Sequence, residues 1–256
     1  MYIIITTIIN VILTLNIEST LKYIVCFVTR RNKTVTLKTK RGVRCLVQFN
    51  SSDKGELISI LSNREYGPLI DIIYKECSKE WVVLGIGANI GLFSIWLERA
   101  CGIKGAKILV EPDPENLKIL KVNLLLNKIQ NYQIIEKAVY MEKGNKNFSV
   151  VEDYHARYLT DSNTNTITVE TDTITGIIAR EGLGRIGILK MDIEGGEWDL
   201  FNEENYDAFL DACVLAIEYH ANRFNNFGNI ERYFRNRKVL HFQKNETTGI
   251  IYIYNI

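Results

Sequence analysis

Residues 81–96 read WVVLGIGANIGLFSIW. The run opens apolar, passes through Gly85, Gly87, Ala88, Asn89 and Gly91, and turns apolar again at helical spacing. A short apolar run bounded by glycine suits a strand buried on both faces. Phe93, Trp96, Leu97 and Ala100 then fall at i, i+3, i+4 and i+7, the pattern of a helix with one buried side. Strand, glycine turn and helix in that order bring free backbone N–H groups and the positive end of a helix to one point. That makes a cradle for a ligand with a negative or polar tail. Glycine lets the backbone turn sharply there and approach the ligand with no Cβ between them.

The spacing of the glycines separates two ligands. A dinucleotide fingerprint reads G-x-G-x-x-G. Gly85, Gly87 and Gly91 give G-x-G-x-x-x-G, with Asn89 inside the turn. The longer loop suits S-adenosylmethionine, whose methionine carboxylate and amino groups sit where a pyrophosphate otherwise would. A turn that serves packing alone is the competing explanation.

Working outward, Lys107–Val110 predict a second buried strand ending in Glu111, about 20 residues past the last turn glycine, where a carboxylate accepts hydrogen bonds from both ribose hydroxyls of a nucleoside. An exposed strand-end acid is the structural alternative. Asp113 suits an N-cap, Pro114 the first helical position and Glu115 the dipole, with Leu117, Leu120 and Leu124 as the buried stripe. Tyr132–Val139 predict a third strand, which completes half of a doubly wound sheet. Residues 141–166 are polar and predict a hairpin and loop with a short strand at Phe148–Val151; His155 reads as a solvated loop histidine. Ile167–Glu170 predict another strand, and Asp172 the cap of a helix through Ile178.

Residues 186–198 read IGILKMDIEGGEW. A central strand, Ile186 to Met191, ends in Asp192, and Glu194 projects beyond it before Gly195-Gly196 turns into a helix carrying Trp198 and Phe201. Two carboxylates this close at a ligand-binding edge need a partner: a cationic cofactor end, a substrate hydroxyl or a metal. Val214–Tyr219 predict the next strand, continued by His220, and alternation puts Glu218 and His220 on one side with Tyr219 turned away. Val239–Gln243 and Ile250–Ile256 predict a closing hairpin.

Upstream, Thr34–Lys40 and Val43–Phe49 predict a hairpin turning at Arg41-Gly42. Ser52 or Asp53 caps a helix from Lys54 to about Ser62, and a second helical pattern follows the Gly67-Pro68 break. Residues 2–17 are rich in isoleucine but interrupted by Thr and Asn, with no basic start and no small-residue cleavage site. The uncharged run is slightly short for a spanning helix. Residues 1–20 therefore read as a helix or strand packed on the main domain, with contact to a membrane as the alternative. Residues 1–78 form an N-terminal addition of helices and a hairpin, and residues 79–256 the main domain.

With 31 basic and 30 acidic residues the net charge is +1, and no overall basic excess signals a nucleic-acid partner. Five scattered cysteines without a C-x-x-C pair fit a reducing, cytoplasmic setting.

On VVLGIGANIGLFS, LVEPDPENLKILKVNLLLN, VETDTI and ILKMDIEGGEWDLF, the chain resembles the FkbM family of S-adenosylmethionine-dependent methyltransferases, from about Glu65 to His220. The resemblance implies a class I, Rossmann-like α/β fold: a doubly wound, mostly parallel seven-stranded sheet with an antiparallel terminal hairpin, plus the small N-terminal α+β addition. It implies S-adenosylmethionine contacts at Gly87, Asn89, Gly91 and Glu111 and a functional edge of Asp192 and Glu194, to which the turn and the strand ends add Gly85 and Asp192 on the cofactor side and His220 on the catalytic side. Where the family usually carries Asp, this chain has Gly85; Asp192 or Glu194 is positioned to supply that charge.

Family members commonly methylate hydroxyls of sugars, glycans or polyketides, so the implied reaction is O-methylation of a hydroxylated small molecule or glycan, with His220 or Asp192 as base. A divalent metal on Asp192, Glu218 and His220 is the alternative way to acidify a hydroxyl, though oxygen-rich edges serve without one. Rival functions are RNA or protein methylation and a non-catalytic cofactor-binding module. MDIEGG stands where amino-methylating enzymes often carry Asn/Asp-Pro-Pro-Tyr/Phe, which favours oxygen over nitrogen. A nicotinamide oxidoreductase is disfavoured by the glycine spacing and the terminal hairpin.

Overall fold

The computed structural model describes residues 2–29, 34–76, 80–150, 158–160, 162, 164–221, 225–234 and 236–254. His155 lies outside the described residues. The first elements are α1 (Tyr2–Thr14), α2 (Ile17–Thr29), β1 (Thr34–Lys38), β2 (Arg44–Gln48), α3 (Asp53–Leu61) and α4 (Gly67–Glu76). The sheet then builds through β3 (Val82–Ile86), α5 (Leu92–Cys101), β4 (Lys107–Val110), α6 (Pro114–Leu126) and β5 (Tyr132–Ile135). Four short strands follow, β6 (Ala138–Val139), β7 (Gly144–Ser149), β8 (Leu159–Thr160) and β9 (Thr166–Asp172). The chain continues with α7 (Ile174–Arg180), β10 (Ile186–Met191), α8 (Glu197–Leu200), α9 (Glu203–Asp211), β11 (Val214–His220), α10 (Phe227–Tyr233), β12 (Lys238–Gln243) and β13 (Thr248–Tyr254).

The main sheet has seven strands in the order β12-β13-β11-β10-β3-β4-β5. β11, β10, β3, β4 and β5 run parallel, while β13 lies antiparallel between β11 and β12. The central strands β3, β4 and β10 are mainly apolar and almost entirely buried, as expected of strands covered by helices on both faces, while β5 at the sheet edge exposes Tyr132 and Gln133. Strand order reverses between β3 and β10, and crevices open at such a reversal beyond the carboxyl ends of the strands.

Two expectations need correction. Tyr132–Val139 is two strands: Ile135 ends β5, the chain turns with Lys137 N–H donating to the Ile135 carbonyl, and β6 joins another sheet. Residues 138–172 supply a separate four-stranded sheet, β6-β9-β7-β8, whose polar strands pair with one another and bury only a small cluster around Ala138, Phe148 and Val169. The α7 cap is Thr173, whose side chain accepts from Gly176 N–H, because Asp172 is taken by an ion pair with Arg180. The Asp113 cap of α6 is present, accepting from Glu115 N–H.

One core joins the N-terminal elements to the sheet: Val11, Leu15, Leu57 and Leu69 pack in the same cluster as Trp96, Leu109 and Tyr252. Polar bonds fix the contact. Asn123 Oδ1 accepts from Leu46 N–H at 2.6 Å, and Trp96 Nε1 donates to Asn63 at 2.6 Å. The segment that follows β2 is thereby held at the carboxyl ends of β3 and β4. No helix among the described residues is long and apolar enough to cross a membrane.

Candidate active site

Gly87 follows β3 at φ +71°, and a Cβ there would stand 1.9 Å from the Asp192 carbonyl oxygen. Gly91, the N-cap of α5, has φ +86°, and its Cβ would meet Leu120 Cδ1 at 2.6 Å. Both positions are glycine because the tip of β10 and the side of α6 press on the turn. Four of the turn's donors are already engaged. Gly87 and Ala88 N–H donate to the Val110 carbonyl, Asn89 N–H to Glu111 Oε2 at 2.7 Å, and Gly91 N–H to Ala88. In a turn flanked by strands, the neighbouring backbone satisfies such groups first.

What the turn offers a ligand is the Asn89 side chain, on a backbone at φ +48°. Its Nδ2 donates to Glu56 at 3.0 Å, and its buried Oδ1 has no hydrogen-bond partner. Gly85 lies inside β3 beside Leu109, and neither it nor Gly91 lines the cleft.

That cleft, about 390 Å³, is lined by Asn89, Glu111, Asp192, Glu194, Tyr140 and Phe148, with Gln48 and Ser51–Asp53 along one rim. The strand-end acids of β4 and β10 therefore face one space. Behind it, a chamber of about 60 Å³ shares Asn89, Asp192 and Glu194 with the cleft and adds Glu56, Glu65 and Lys244.

Glu111 is buried, with Oε1 accepting from Asp113 N–H at 3.0 Å and Asn116 Nδ2 at 3.4 Å. Burial lifts its pKa to about 7 against the pull of the Asp113 and Asn89 amides. Lys190, buried in β10, donates to the Gly87 carbonyl at 2.6 Å and lies 3.3 Å from Asp192 Oδ2. Burial opposes the Asp192 charge, but Lys190, His220 and Lys244 outweigh it and hold this carboxyl below its ordinary range. Glu194 sits at φ +57°, a conformation costing a non-glycine residue on the order of 1–2 kcal/mol. Its Oε2 lies 3.2 Å from His220 Nε2, and burial followed by the Asp192 charge raises its pKa to about 7.

His220 Nδ1 is 3.4 Å from Glu197 Oε1, near enough for ion pairing without hydrogen-bond geometry. Burial works against its charge, but Glu197, Glu194 and Asp192 raise its pKa to about 9. Glu197 is fully buried and folds back on its own turn, accepting from Ile193 N–H at 2.9 Å and Gly195 N–H at 3.0 Å.

The site thus brings together Asn89, Glu111, Asp192 and Glu194, with His220 behind Glu194. Glu218 goes elsewhere: both of its oxygens bind Lys244 Nζ, at 2.8 and 3.0 Å, in the inner chamber. Among the described residues, the side chains whose ligand atoms fall within 4.8 Å of one another are Asp192, Glu197 and His220, so Glu197 replaces Glu218 in the expected metal set.

Glu56, Lys190, Glu197 and Lys244 were not singled out as site residues from the sequence. Lys190 has a visible signal, a lysine within the otherwise apolar IGILKM strand, and Glu197 is the third acid of MDIEGGEW. Glu56, on an ordinary amphipathic helix, had none.

A parallel sheet reversing at β3 and β10, an antiparallel strand inserted beside β11, and strand-end acids around one cleft define the Rossmann-like class I methyltransferases. The chain belongs to the FkbM methyltransferase family: the model described as "Methyltransferase FkbM domain" matches residues 85–239, more than half of its length. S-adenosylmethionine is the methyl donor this membership implies. No curated protein matches the chain.

Among solved structures, it is similar to an rRNA methylase from Streptococcus thermophilus (12% identity, 75% of this chain and 97% of that one, TM-score 0.48). It is also similar to precorrin-6y C5,15-methyltransferase from Geobacter metallireducens (11% identity, 74% and 88%, TM-score 0.42). A third is M. capricolum TrmK in complex with S-adenosyl-homocysteine (10% identity, 73% and 67%, TM-score 0.44).

Proposed function

We propose that the cleft holds S-adenosylmethionine and that the protein methylates a hydroxyl on a sugar, glycan or small natural product. The observation that carries this proposal is that Glu111 and Asp192, from strands on either side of β3, open onto the same 390 Å³ space. The residues present suit the cofactor. Asn89 Oδ1 is a buried acceptor lacking a donor, and an ammonium group supplies one. Glu111 keeps acceptor capacity beyond its present bonds, which suits ribose hydroxyls. When bound, S-adenosylmethionine supplies an electrophilic methyl group.

Glu194 is the proton acceptor in this proposal. Its pKa of about 7 keeps it partly ionised at neutrality, where a general base works best, and it lines the cleft. Asp192 stays ionised beside Lys190 and keeps the wall negative towards a cationic donor. His220, cationic and outside the cleft lining, positions Glu194 and takes no proton from the acceptor. Residues 1–78 serve as an addition walling the cleft through Gln48–Asp53, and residues 79–256 as the methyltransferase domain. Free, buried Cys45, Cys101 and Cys213 accord with action in the reducing cytoplasm.

Titration calorimetry with S-adenosylhomocysteine tests the cofactor half, and labelled S-adenosylmethionine with panels of hydroxylated, amine and RNA acceptors tests the other. The expected result is saturable binding and label transfer to a hydroxyl. Transfer to nitrogen alone would overturn O-methylation, and no binding would overturn the whole proposal.

A further inference from the structure

Residues 1–49 contain eight Lys or Arg and a single acid, Glu18, although the whole chain is nearly neutral. The same segment exposes apolar side chains in ordered stripes. On α2, Ile17, Leu21, Val25 and Val28 repeat at i, i+4, i+8 and i+11 and are 82%, 60%, 55% and 72% exposed. On α1, Ile9, Ile12 and Leu13 share a face and are also exposed. A monomer rarely shows solvent so many large apolar groups together.

The basic residues lie beside these stripes. Asn16 N–H donates to the Lys38 carbonyl and Lys40 N–H to the Thr14 carbonyl, both at 3.0 Å, and Leu15 bridges Thr39. The α1–α2 corner is thus tied to the β1–β2 turn, which puts exposed Lys38, Lys40 and Arg41 next to Leu13 and Ile17. Glu18 is already engaged by Lys22 at 2.6 Å.

We propose that this corner docks the protein on an anionic membrane surface, the α2 stripe entering the headgroup boundary and Lys38, Lys40 and Arg41 lying over acidic lipids. Each helix has 13 residues, roughly 20 Å at 1.5 Å per residue, so it lies along a bilayer whose apolar core is about 30 Å thick. Two copies meeting through this face would set like-charged corners together, which association disfavours. RNA would use the basic turn but leave the apolar stripes unaccounted for.

Flotation of the full chain with vesicles tests the proposal, comparing phosphatidylcholine alone with mixtures containing about a third phosphatidylserine. The protein should float with the anionic vesicles. The pair Ile17→Asp/Leu21→Asp and the pair Lys40→Glu/Arg41→Glu should each lower partitioning about tenfold or more, with unchanged melting because all four side chains are exposed. No flotation would overturn the proposal. So would flotation that Ile17→Asp/Leu21→Asp leaves intact, a dimer in light scattering lost in that variant without vesicle binding, or capture of an RNA oligonucleotide without vesicle binding.

Discussion

His220 shows how far surroundings reassign a side chain. Flanked by Glu194 and Glu197, it holds its proton up to about pH 9 and acts as the cation of the cluster, which leaves Glu194 to accept protons near neutrality. Glu194→Gln is therefore expected to remove the rise in turnover through about pH 7 and to lower kcat by on the order of 10²-fold. A pH–rate profile unchanged in this variant would assign the base elsewhere. At Glu111, both carboxylate oxygens accept backbone N–H groups, so Glu111→Gln must set an amide nitrogen against one of them. Affinity for S-adenosylhomocysteine should fall about tenfold or more, since each bond to a charged acceptor is worth about 1.5–3 kcal/mol, and calorimetry measures it directly.

Among the elements, the β3–α5 turn is the most constrained. Gly87→Ala combines a left-handed backbone with a Cβ driven into the Asp192 carbonyl, so a loss of about 3 kcal/mol or more is expected. Gly42→Ala has φ +86° but open space around it, and should cost only about 1–2 kcal/mol. Urea denaturation of the two variants compares them, and equal losses would mean the tips of β3 and β10 part easily. Elements with strong local signals were legible: β3, β4 and β10 from apolar runs, α6 from Asp113-Pro114 and the closing hairpin from its two apolar strands. The second sheet was not, because its strands are polar and its pairings join residues 138–139 to 171–172, a contact that sequence periodicity does not carry.

For the molecule as a whole, Glu56, Glu111, Glu194, Glu218 and His220 act on stability in one direction. Burial raises Glu111 and Glu194 to about 7 and Glu56 and Glu218 to about 8, so between 4.5 and those values the folded state holds more protons than the unfolded one. Stability therefore falls as pH climbs through that window. His220 is raised from 6.5 to about 9, so its contribution is complete below 6.5 and lost as pH passes about 9. The ligand-free protein should show a urea midpoint that declines from about pH 6 to 9, and a midpoint that rises across this range would contradict these assignments.

The strand–glycine turn–helix unit, the strand-end positions of Glu111 and Asp192, and the antiparallel close of the sheet were determined by the sequence alone. Each follows from a residue's own backbone limits or from a repeat of two or 3.6 residues along the chain. The state of the site was decided only in three dimensions. Glu56 reaches Asn89 across 33 positions and Lys190 reaches Gly87 across 103, while Lys244 draws Glu218 out of the group expected around Asp192. Charge and proton affinity depend on distances of a few ångströms and on exclusion of water, and both exist only once the chain has packed.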